Sequence, residues 1–289
     1  MAARERAAAL RHHRRMTIPA HRRSSPAIWR HGARVASATR EIPEETPIAL
    51  TFNRETYAVM MGTPADLADF AIGFALTEGI VARADAIAAL DVLEHAEGIE
   101  LRMELDAPHL AALTRRRRRL AGPTGCGLCG IDSLAEAARP PPTVPAGPVV
   151  TPADIAQALR AMEPLQALNT ATHAVHAAAF WRPAGGIVAL REDVGRHNAL
   201  DKLAGALARA GRPANQGMVL LSSRVSIEMV QKSAAIGAAV LVAVSAPTAH
   251  AVRLAEAAGM TLAAVARRDG FEVFCGEHRI RTEASAHVA

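Results

Sequence analysis

The chain has 289 residues and a formal net charge of +5, and half of its residues are hydrophobic although only 3% are aromatic. This length suits one large domain or two modest ones, with a core built mainly from aliphatic side chains. No apolar run approaches the ~20 residues of a membrane span, so we expect no membrane association. Basic residues are not interleaved with aromatic ones as in nucleic-acid surfaces, so we expect no nucleic-acid partner.

The N-terminal region is basic and lacks the apolar segment of a secretory signal. We therefore expect residues 1–44 to form a disordered basic tail. A total of three cysteines is typical of a reducing compartment, so the expected location is the cytoplasm.

Residues 45–120 predict a small α+β domain. Two segments of alternating hydrophobicity, 47–53 and 55–62, are typical of strands joined by a tight turn. A helix is expected to begin at Pro64, a favoured first position, and to end at Gly79.

Two thiols three residues apart dominate the middle of the chain. Cys126 and Cys129 are each followed by glycine, and an apolar, helix-forming run begins at Ile131. Thiols at a helix N-terminus are favoured as thiolates, the reactive form of sulfur. The sequence therefore predicts a loop for sulfur chemistry, and we interpret residues 121–150 as this mobile CxxC loop followed by a Pro-rich linker.

Other interpretations of the two thiols remain open. They could form half of a zinc site completed by histidines such as His173, His176 and His197, although zinc usually needs four ligands. They could also be a thioredoxin-like dithiol, but that motif normally follows the first strand of a βαβ unit. The run of five arginines at 115–119 could steer phosphates or an acidic partner, or be a solvated face.

Residues 151–289 predict an α/β domain. A helix restarts at Pro152, a hairpin follows, and strands then alternate with helices of 12 to 15 residues. This order predicts a mostly parallel sheet covered by helices on both faces.

Polar residues follow the predicted strands of this domain, at the edge where such sheets bind ligands. Only two of the 33 Lys and Arg residues are lysines, which suggests positions that need a compact ammonium. Both lysines lie in helices that start at this edge. The set predicted to bind an anionic, nucleotide-like ligand is Arg196, His197, Lys202, Arg224 and Lys232.

Several segments together resemble a known family, the formate dehydrogenase accessory sulfurtransferases (FdhD). They are TPADLADFAIGFALTEGIV, CGLCG, ATHAVHAAAF, REDVGRHNALDKL, SSRVSIEMVQKSAAIG and FEVFCG, in this order between about residues 45 and 276. The resemblance implies a cytidine-deaminase-like, three-layer αβα C-terminal domain with a smaller α+β N-terminal domain, assembled as a homodimer.

The resemblance also implies a function. Such proteins take persulfide sulfur from a cysteine desulfurase and pass it to the molybdenum bis(molybdopterin guanine dinucleotide) cofactor, which is cargo, for formate dehydrogenase. Cys126 would carry the persulfide and Cys129 would act as a relay, with no metal bound directly by the protein. The implied cofactor-binding strip is Phe271, Glu272, Val273, Phe274, Cys275 and Gly276.

The chain departs from the family pattern at two places. Pro123, Thr124 and Gly125 precede the first cysteine where small hydroxyl residues are usual, and Cys275 stands where the strip usually has threonine. Three alternative functions stay open: a chaperone that only binds the cofactor, a zinc deaminase-like hydrolase, and a dithiol redox protein.

Overall fold

The structure is a computed structural model that describes residues 9–13, 17–35, 38–120 and 140–281. Within these ranges the chain forms fifteen β-strands and seven α-helices. The strands are Ala9–His13 (β1), His21–Ser24 (β2), Ile28–Arg30 (β3), Ala33–Val35 (β4), Arg40–Pro43 (β5), Thr46–Phe52 (β6), Glu55–Gly62 (β7), Ile87–His95 (β8), Gly98–Leu105 (β9), His176–Arg182 (β10), Gly186–Asp193 (β11), Met218–Leu221 (β12), Val240–Ala243 (β13), Thr261–Arg267 (β14) and Gly270–Cys275 (β15). The α-helices are Leu67–Thr77 (α1), Ala107–Leu120 (α2), Pro152–Met162 (α3), Ala167–Thr172 (α4), Arg196–Arg209 (α5), Ile227–Ala235 (α6) and Ala249–Ala257 (α7).

The first half of the chain builds a five-stranded sheet in the order β1-β8-β9-β6-β7. Along β9, buried residues such as Leu101 and Met103 alternate with partly exposed ones such as Arg102, as a strand with one covered face requires. The covered face packs against Phe70 and Phe74 of α1. This sheet and its helices form the smaller α+β unit that the sequence predicts.

The predicted hairpin of the small unit is confirmed. β6 and β7 pair antiparallel, and the two residues between them, Asn53 and Arg54, have φ angles of 48° and 69°. Two consecutive residues with positive φ are typical of a tight turn whose twist matches that of the flanking strands. Asn53 also exchanges hydrogen bonds of 2.9 and 3.2 Å with the backbone of Leu105, which ties the turn to β9.

The prediction that α1 begins at Pro64 is wrong by three residues. Thr63 is held outside the helix because its N–H donates to Asp193 Oδ2 at 3.0 Å and its carbonyl accepts from Lys202 Nζ at 2.9 Å. Asp66 then adopts a left-handed conformation with φ 52°, and the helix starts at the next residue. Contacts with the second half of the chain thus override the local preference.

The prediction of a disordered tail through residue 44 is also wrong for the described part of that segment. β2 and β5 pair antiparallel, as do β3 and β4. Within the β2–β5 pair, Glu41 accepts hydrogen bonds from His21 at 3.0 Å and from Arg23 at 3.1 Å. These cross-strand pairs offset the positive charge on which the prediction of disorder rested.

The second half builds a six-stranded sheet in the order β11-β10-β12-β13-β14-β15. Of its neighbouring pairs, β12–β13 and β13–β14 are parallel and the other three are antiparallel. The predicted mostly parallel sheet is therefore a mixed sheet, because a hairpin closes each edge. Four of the six strands, namely β11, β12, β13 and β14, still run in the same direction.

Helices cover both faces of this sheet, as predicted. One face packs against α5, α6 and α7 through residues such as Leu203, Met229 and Ala255. The other face packs against Ile155 and Met162 of α3. The fold class, a three-layer α/β/α unit joined to a smaller α+β unit, is confirmed.

The described part of the predicted Pro-rich linker is packed onto the large unit. Val144 is buried in its core and its N–H donates to the Ala258 carbonyl at 2.9 Å. Val150 is fully buried and forms a parallel bridge with Ile280. Residues 144–150 are therefore part of the large unit, because Val144 and Val150 bury apolar surface there.

The two units meet where α1 crosses α5. A Cβ atom added to Gly73 would lie 1.6 Å from the Asp201 carbonyl oxygen, and one added to Gly205 would lie 1.9 Å from the Asp69 carbonyl oxygen. Only glycine permits two helix backbones to come this close. The two units are therefore in direct backbone contact.

Candidate functional site

The polar segments that the sequence predicts at strand ends do converge. β11, β12 and β13 run in the same direction, so their carboxyl ends meet at one edge of the large sheet. α5 begins just after β11, and five residues separate the end of β12 from the start of α6. This edge, called the carboxyl edge below, therefore carries the first turns of two helices.

Basic side chains from separate segments share the carboxyl edge. Arg196 and His197 form the first turn of α5, and the exposed Arg224 lies in the loop between β12 and α6. Among the described residues, Arg196 Nε and His197 Nε2 are buried atoms with no hydrogen-bond partner. Buried donors without partners are costly, which is the arrangement expected where a ligand supplies the acceptors.

The two helix N-termini add to this positive potential. The N-cap of α5 is Gly195, which has no side chain to accept hydrogen bonds from the first turn. The N-cap of α6 is Ser226, and its hydroxyl donates to Glu228 Oε2 at 2.7 Å and does not cap the helix. Free N–H groups at a helix start favour anions.

His176, the first residue of β10, is a member of this site that the anion-site prediction missed. Burial lowers the pKa of its half-buried imidazole, and the charges of Arg196 and Arg224 lower it further. His176 is therefore neutral at neutral pH. The sequence offered His176 only as a zinc ligand, because β10 begins at this edge only through its antiparallel pairing with β12.

Glu228 is an acidic side chain that faces His197. Its Oε2 lies 3.8 Å from His197 Nε2, close enough for an ion pair but too long for a hydrogen bond. The facing His197 and the Ser226 hydroxyl lower the pKa of Glu228 to about 2. Glu228 is therefore a carboxylate at all physiological pH values and partly offsets the positive charge of the site.

Lys202 does not lie at the carboxyl edge as a free cation, contrary to the prediction. Its side chain is fully buried, with Nζ 2.6 Å from Asp193 Oδ2 and 2.9 Å from the Thr63 carbonyl oxygen. A buried ammonium needs such partners to offset its lost hydration. Lys202 therefore joins the large unit to the small unit and has no exposed surface to offer a ligand.

Lys232 is also in the interface between the units and not at the edge. Its Nζ lies 2.9 and 3.0 Å from the Asp201 carboxylate, 2.8 Å from Glu78 Oε1 and 3.1 Å from Thr77 Oγ1. Burial opposes its charge, but the carboxylates of Asp201 and Glu78 outweigh burial and raise its pKa. These contacts form a network that links α1, α5 and α6.

The predicted cofactor-binding strip, residues 271–276, lies elsewhere on the sheet. It comprises most of the edge strand β15. Three strands lie between β15 and β10, so these two strands are roughly 19 Å apart at the usual strand spacing. β15 runs antiparallel to β14, so Phe271 and the exposed Glu272 lie near the carboxyl edge while Cys275 and Gly276 lie near the opposite one. Val273 pairs with Ala263, and Phe274 packs against the core on the α5–α7 face. The structure thus separates the strip from Arg196, His197 and Arg224.

Cys275 is a half-buried thiol within this strip. Its Sγ lies 3.5 Å from the Met260 carbonyl oxygen. Burial raises the pKa of this thiol, so it stays protonated and is a weak nucleophile at neutral pH.

Cys126 and Cys129 lie outside the described residues. The chain returns to the described part at Pro140, and residues 140–142 form one wall of a cavity of about 1310 Å³ between the two units. Ala214 and Ile236, which precede the amino ends of β12 and β13, form another wall. The segment after the cysteines therefore rejoins the large unit at the edge opposite the basic side chains.

In the described ranges, no group of three or more His, Cys, Asp or Glu side chains could hold a metal ion. None of the helices in these ranges is long and apolar enough to cross a membrane. His95, Ala96 and Glu97 match the HxE pattern of zinc deaminases, but they lie at the turn between β8 and β9 in the small unit.

Comparison with known proteins places the chain in a family. The model of the FdhD/NarQ family matches residues 43–281. A sulfur carrier protein FdhD from Agrobacterium fabrum is 49% identical over 246 residues, which cover 85% of this chain and 91% of that protein. A protein of the same name from Cupriavidus necator is 47% identical over 267 residues, which cover 92% of each.

A solved structure agrees with this placement. A crystal structure described as a formate dehydrogenase accessory protein from Desulfotalea psychrophila matches with a TM-score of 0.73 and 25% identity, covering 91% of this chain and all of that one. Since the family model and the relatives each span most of the sequence, the chain belongs to the FdhD/NarQ family.

Proposed function

We propose that this protein is a sulfur carrier that acts in the maturation of formate dehydrogenase. In this proposal Cys126 accepts sulfur as a persulfide from a cysteine desulfurase. The acceptor of the sulfur is the molybdenum bis(molybdopterin guanine dinucleotide) cofactor, which the protein holds as cargo in the cytoplasm, as a homodimer. The observation that carries the proposal is the match over most of the chain to relatives named sulfur carrier proteins.

The proposed transfer has two steps, loading of Cys126 and release of the sulfur. The Cys126 thiolate attacks the outer sulfur of the donor's cysteine persulfide, the donor's sulfur–sulfur bond breaks, and the donor cysteine leaves as a thiolate. For release, the Cys129 thiol attacks the Cys126 sulfur, hydrosulfide leaves for the cargo, and a Cys126–Cys129 disulfide remains. A cellular thiol reductant then restores both thiols.

The carboxyl edge supports the choice of cargo. Arg196, His197 and Arg224 lie there beside two helix N-termini, a combination that suits the phosphate groups of a dinucleotide. The strip at residues 271–276 lies apart from them, and Phe271 is only partly buried there. We propose that a cargo with two dinucleotide arms reaches both places.

The carrier assignment predicts a sulfur adduct on one residue. Purified protein incubated with cysteine desulfurase and cysteine should gain the mass of one sulfur atom, and peptide mass spectrometry should place it on Cys126. Cys126→Ala should lose the adduct and fail to restore formate dehydrogenase activity in a strain that lacks this protein.

Two matched variants complete this experiment. Cys129→Ala should still be loaded but should release sulfur poorly, while Cys275→Ala, which removes a thiol that stays protonated, should gain the sulfur adduct on Cys126 as wild type does. An adduct that persists in Cys126→Ala would show that the carrier assignment is wrong.

The same set of proteins separates the alternatives. Full activity with both CxxC cysteines replaced would indicate a chaperone that only binds the cofactor. Stoichiometric zinc in the purified protein would indicate a deaminase-like hydrolase. A reversible Cys126–Cys129 disulfide without any persulfide would indicate a dithiol redox protein.

A further inference from the structure

The two arginines of the carboxyl edge, Arg196 and Arg224, repel one another, and the described residues give them little compensation. Arg196, His197, Arg224 and His176 come from α5, from the loop after β12 and from the start of β10. Two of their buried nitrogen atoms, Arg196 Nε and His197 Nε2, lack a hydrogen-bond partner among the described residues. Holding such donors together costs stability unless an anion shares the site.

The nearby carboxylates do not supply this anion. Asp193 also faces His176, but its oxygens already accept from Thr63 N–H at 3.0 Å and Gly195 N–H at 2.7 Å and pair with Lys202 at 2.6 Å. Glu228 faces His197 at 3.8 Å and accepts from the Ser226 hydroxyl. The site therefore keeps an excess of positive charge in the absence of a ligand.

His176 responds to this excess. Burial, Arg196, Arg224 and His197 all disfavour a charge on its ring, and Asp193 alone among its charged neighbours favours one. A dianion placed among the same neighbours reverses the balance, because it attracts a proton to the ring and screens both arginines.

We propose that His176, Arg196, His197 and Arg224 form a subsite for one diphosphate group, which carries two negative charges, and that His176 takes up a proton when this group binds. The proton comes from solvent and stays on the imidazole, which then donates a charge-assisted hydrogen bond. The subsite rests on the proposed function, because this diphosphate belongs to a dinucleotide arm of the cargo. Acidic conditions therefore favour loading and alkaline conditions favour release.

The test uses sulfate, a tetrahedral dianion whose charge does not change between pH 6 and pH 8. Calorimetric titration at pH 7 in two buffers of different ionisation enthalpy gives the number of protons taken up for each sulfate bound. We expect uptake by the wild-type protein, and an affinity that rises by up to about tenfold for each unit that the pH falls.

His176→Gln is the decisive variant, since it keeps a donor but cannot titrate. It should bind sulfate with no proton uptake and with an affinity that varies little with pH. His173→Gln, which changes an exposed histidine just before β10, is the matched control and should keep the wild-type uptake. His197→Gln should weaken binding and still take up a proton.

A measurement on the wild-type protein tests the role of His176 without relying on the folding of a variant. Nitrogen NMR of the histidine rings should show the His176 ring passing from its neutral to its charged form as sulfate saturates the site. Binding without proton uptake, or uptake that survives in His176→Gln, would overturn the role of His176.

The remaining outcomes separate this subsite from the carrier function. An absence of sulfate binding would overturn the subsite, while the persulfide on Cys126 would be tested independently. GDP should compete with sulfate, and a failure to compete would overturn the assignment of the subsite to the guanine dinucleotide cargo.

Discussion

At the scale of single residues, the rarity of lysine indicated a special role for Lys202 and Lys232, but their predicted location at the carboxyl edge is wrong. Their rarity among 33 basic residues suggested a need for a compact ammonium. That need is real, but it belongs to the interface between the units, where Lys202 pairs with Asp193 and Lys232 pairs with Asp201 and Glu78. An ammonium fits these small polar sites, whereas a guanidinium would be too large and planar.

Glu228 gives a pH-dependent prediction at this scale. Its folded-state pKa of about 2 lies below its ordinary value of 4.5, so its stabilising contribution is present above pH 4.5 and is lost as the pH falls towards 2. Glu228→Gln should therefore reduce the free energy of unfolding at pH 7 by about 1 kcal/mol after allowance for solvent screening. The difference from wild type should vanish near pH 2.

Urea titrations at several pH values measure this effect. Glu256→Gln on α7 is the matched control, since it removes an exposed carboxylate from a helix of the same layer. A Glu228→Gln curve that runs parallel to the wild-type curve down to pH 2 would contradict the assigned ion pair.

At the scale of secondary-structure elements, the crossing of α1 and α5 gives the sharpest prediction. Gly205→Ala places a methyl group 1.9 Å from the Asp69 carbonyl oxygen, so the two helices must move apart. We expect a loss of about 2–3 kcal/mol in the free energy of unfolding, measured by chemical denaturation.

Gly185→Ala is the control for this substitution. Gly185 lies in the turn between β10 and β11, where an added Cβ meets no atom within 4 Å, so stability should change little. Equal stabilities for the Gly205 and Gly185 variants would show that the helices do not cross as described.

Most elements could be predicted from the sequence because local patterns determine them. The turn at Asn53–Arg54, the capped start of α3 at Thr151 and the strand–helix alternation of the second half all lie where their patterns indicate. The start of α1 could not be predicted, because Thr63 is held by residues about 130 positions away. The position of His176 could not be predicted for the same reason, since strand pairing alone brings it to Arg196 and Arg224.

At the scale of the whole molecule, the interface between the units predicts cooperative unfolding. Asp69 accepts hydrogen bonds from Arg191 and Arg209 at 2.6 to 2.8 Å, and the lysine pairs lie beside it in the same interface. Either unit unfolding alone would leave buried charges without partners. We therefore expect one unfolding transition for the described parts of both units.

Two optical probes can check this prediction. Trp181 is fully buried in the large unit, so its fluorescence reports on that unit, and far-ultraviolet circular dichroism reports on both. The midpoints should coincide in a Trp29→Phe background, which removes the exposed second tryptophan. Separate midpoints would indicate that the units unfold independently.

The contact of two helix backbones at Gly73 and Gly205 also limits how this molecule can work. Helices that touch through their main chains have no side-chain layer to shear, so the joint cannot act as a hinge. We therefore expect the two units not to open around a large ligand at this crossing. In the proposed sulfur-transfer cycle, the carboxyl edge would keep one shape.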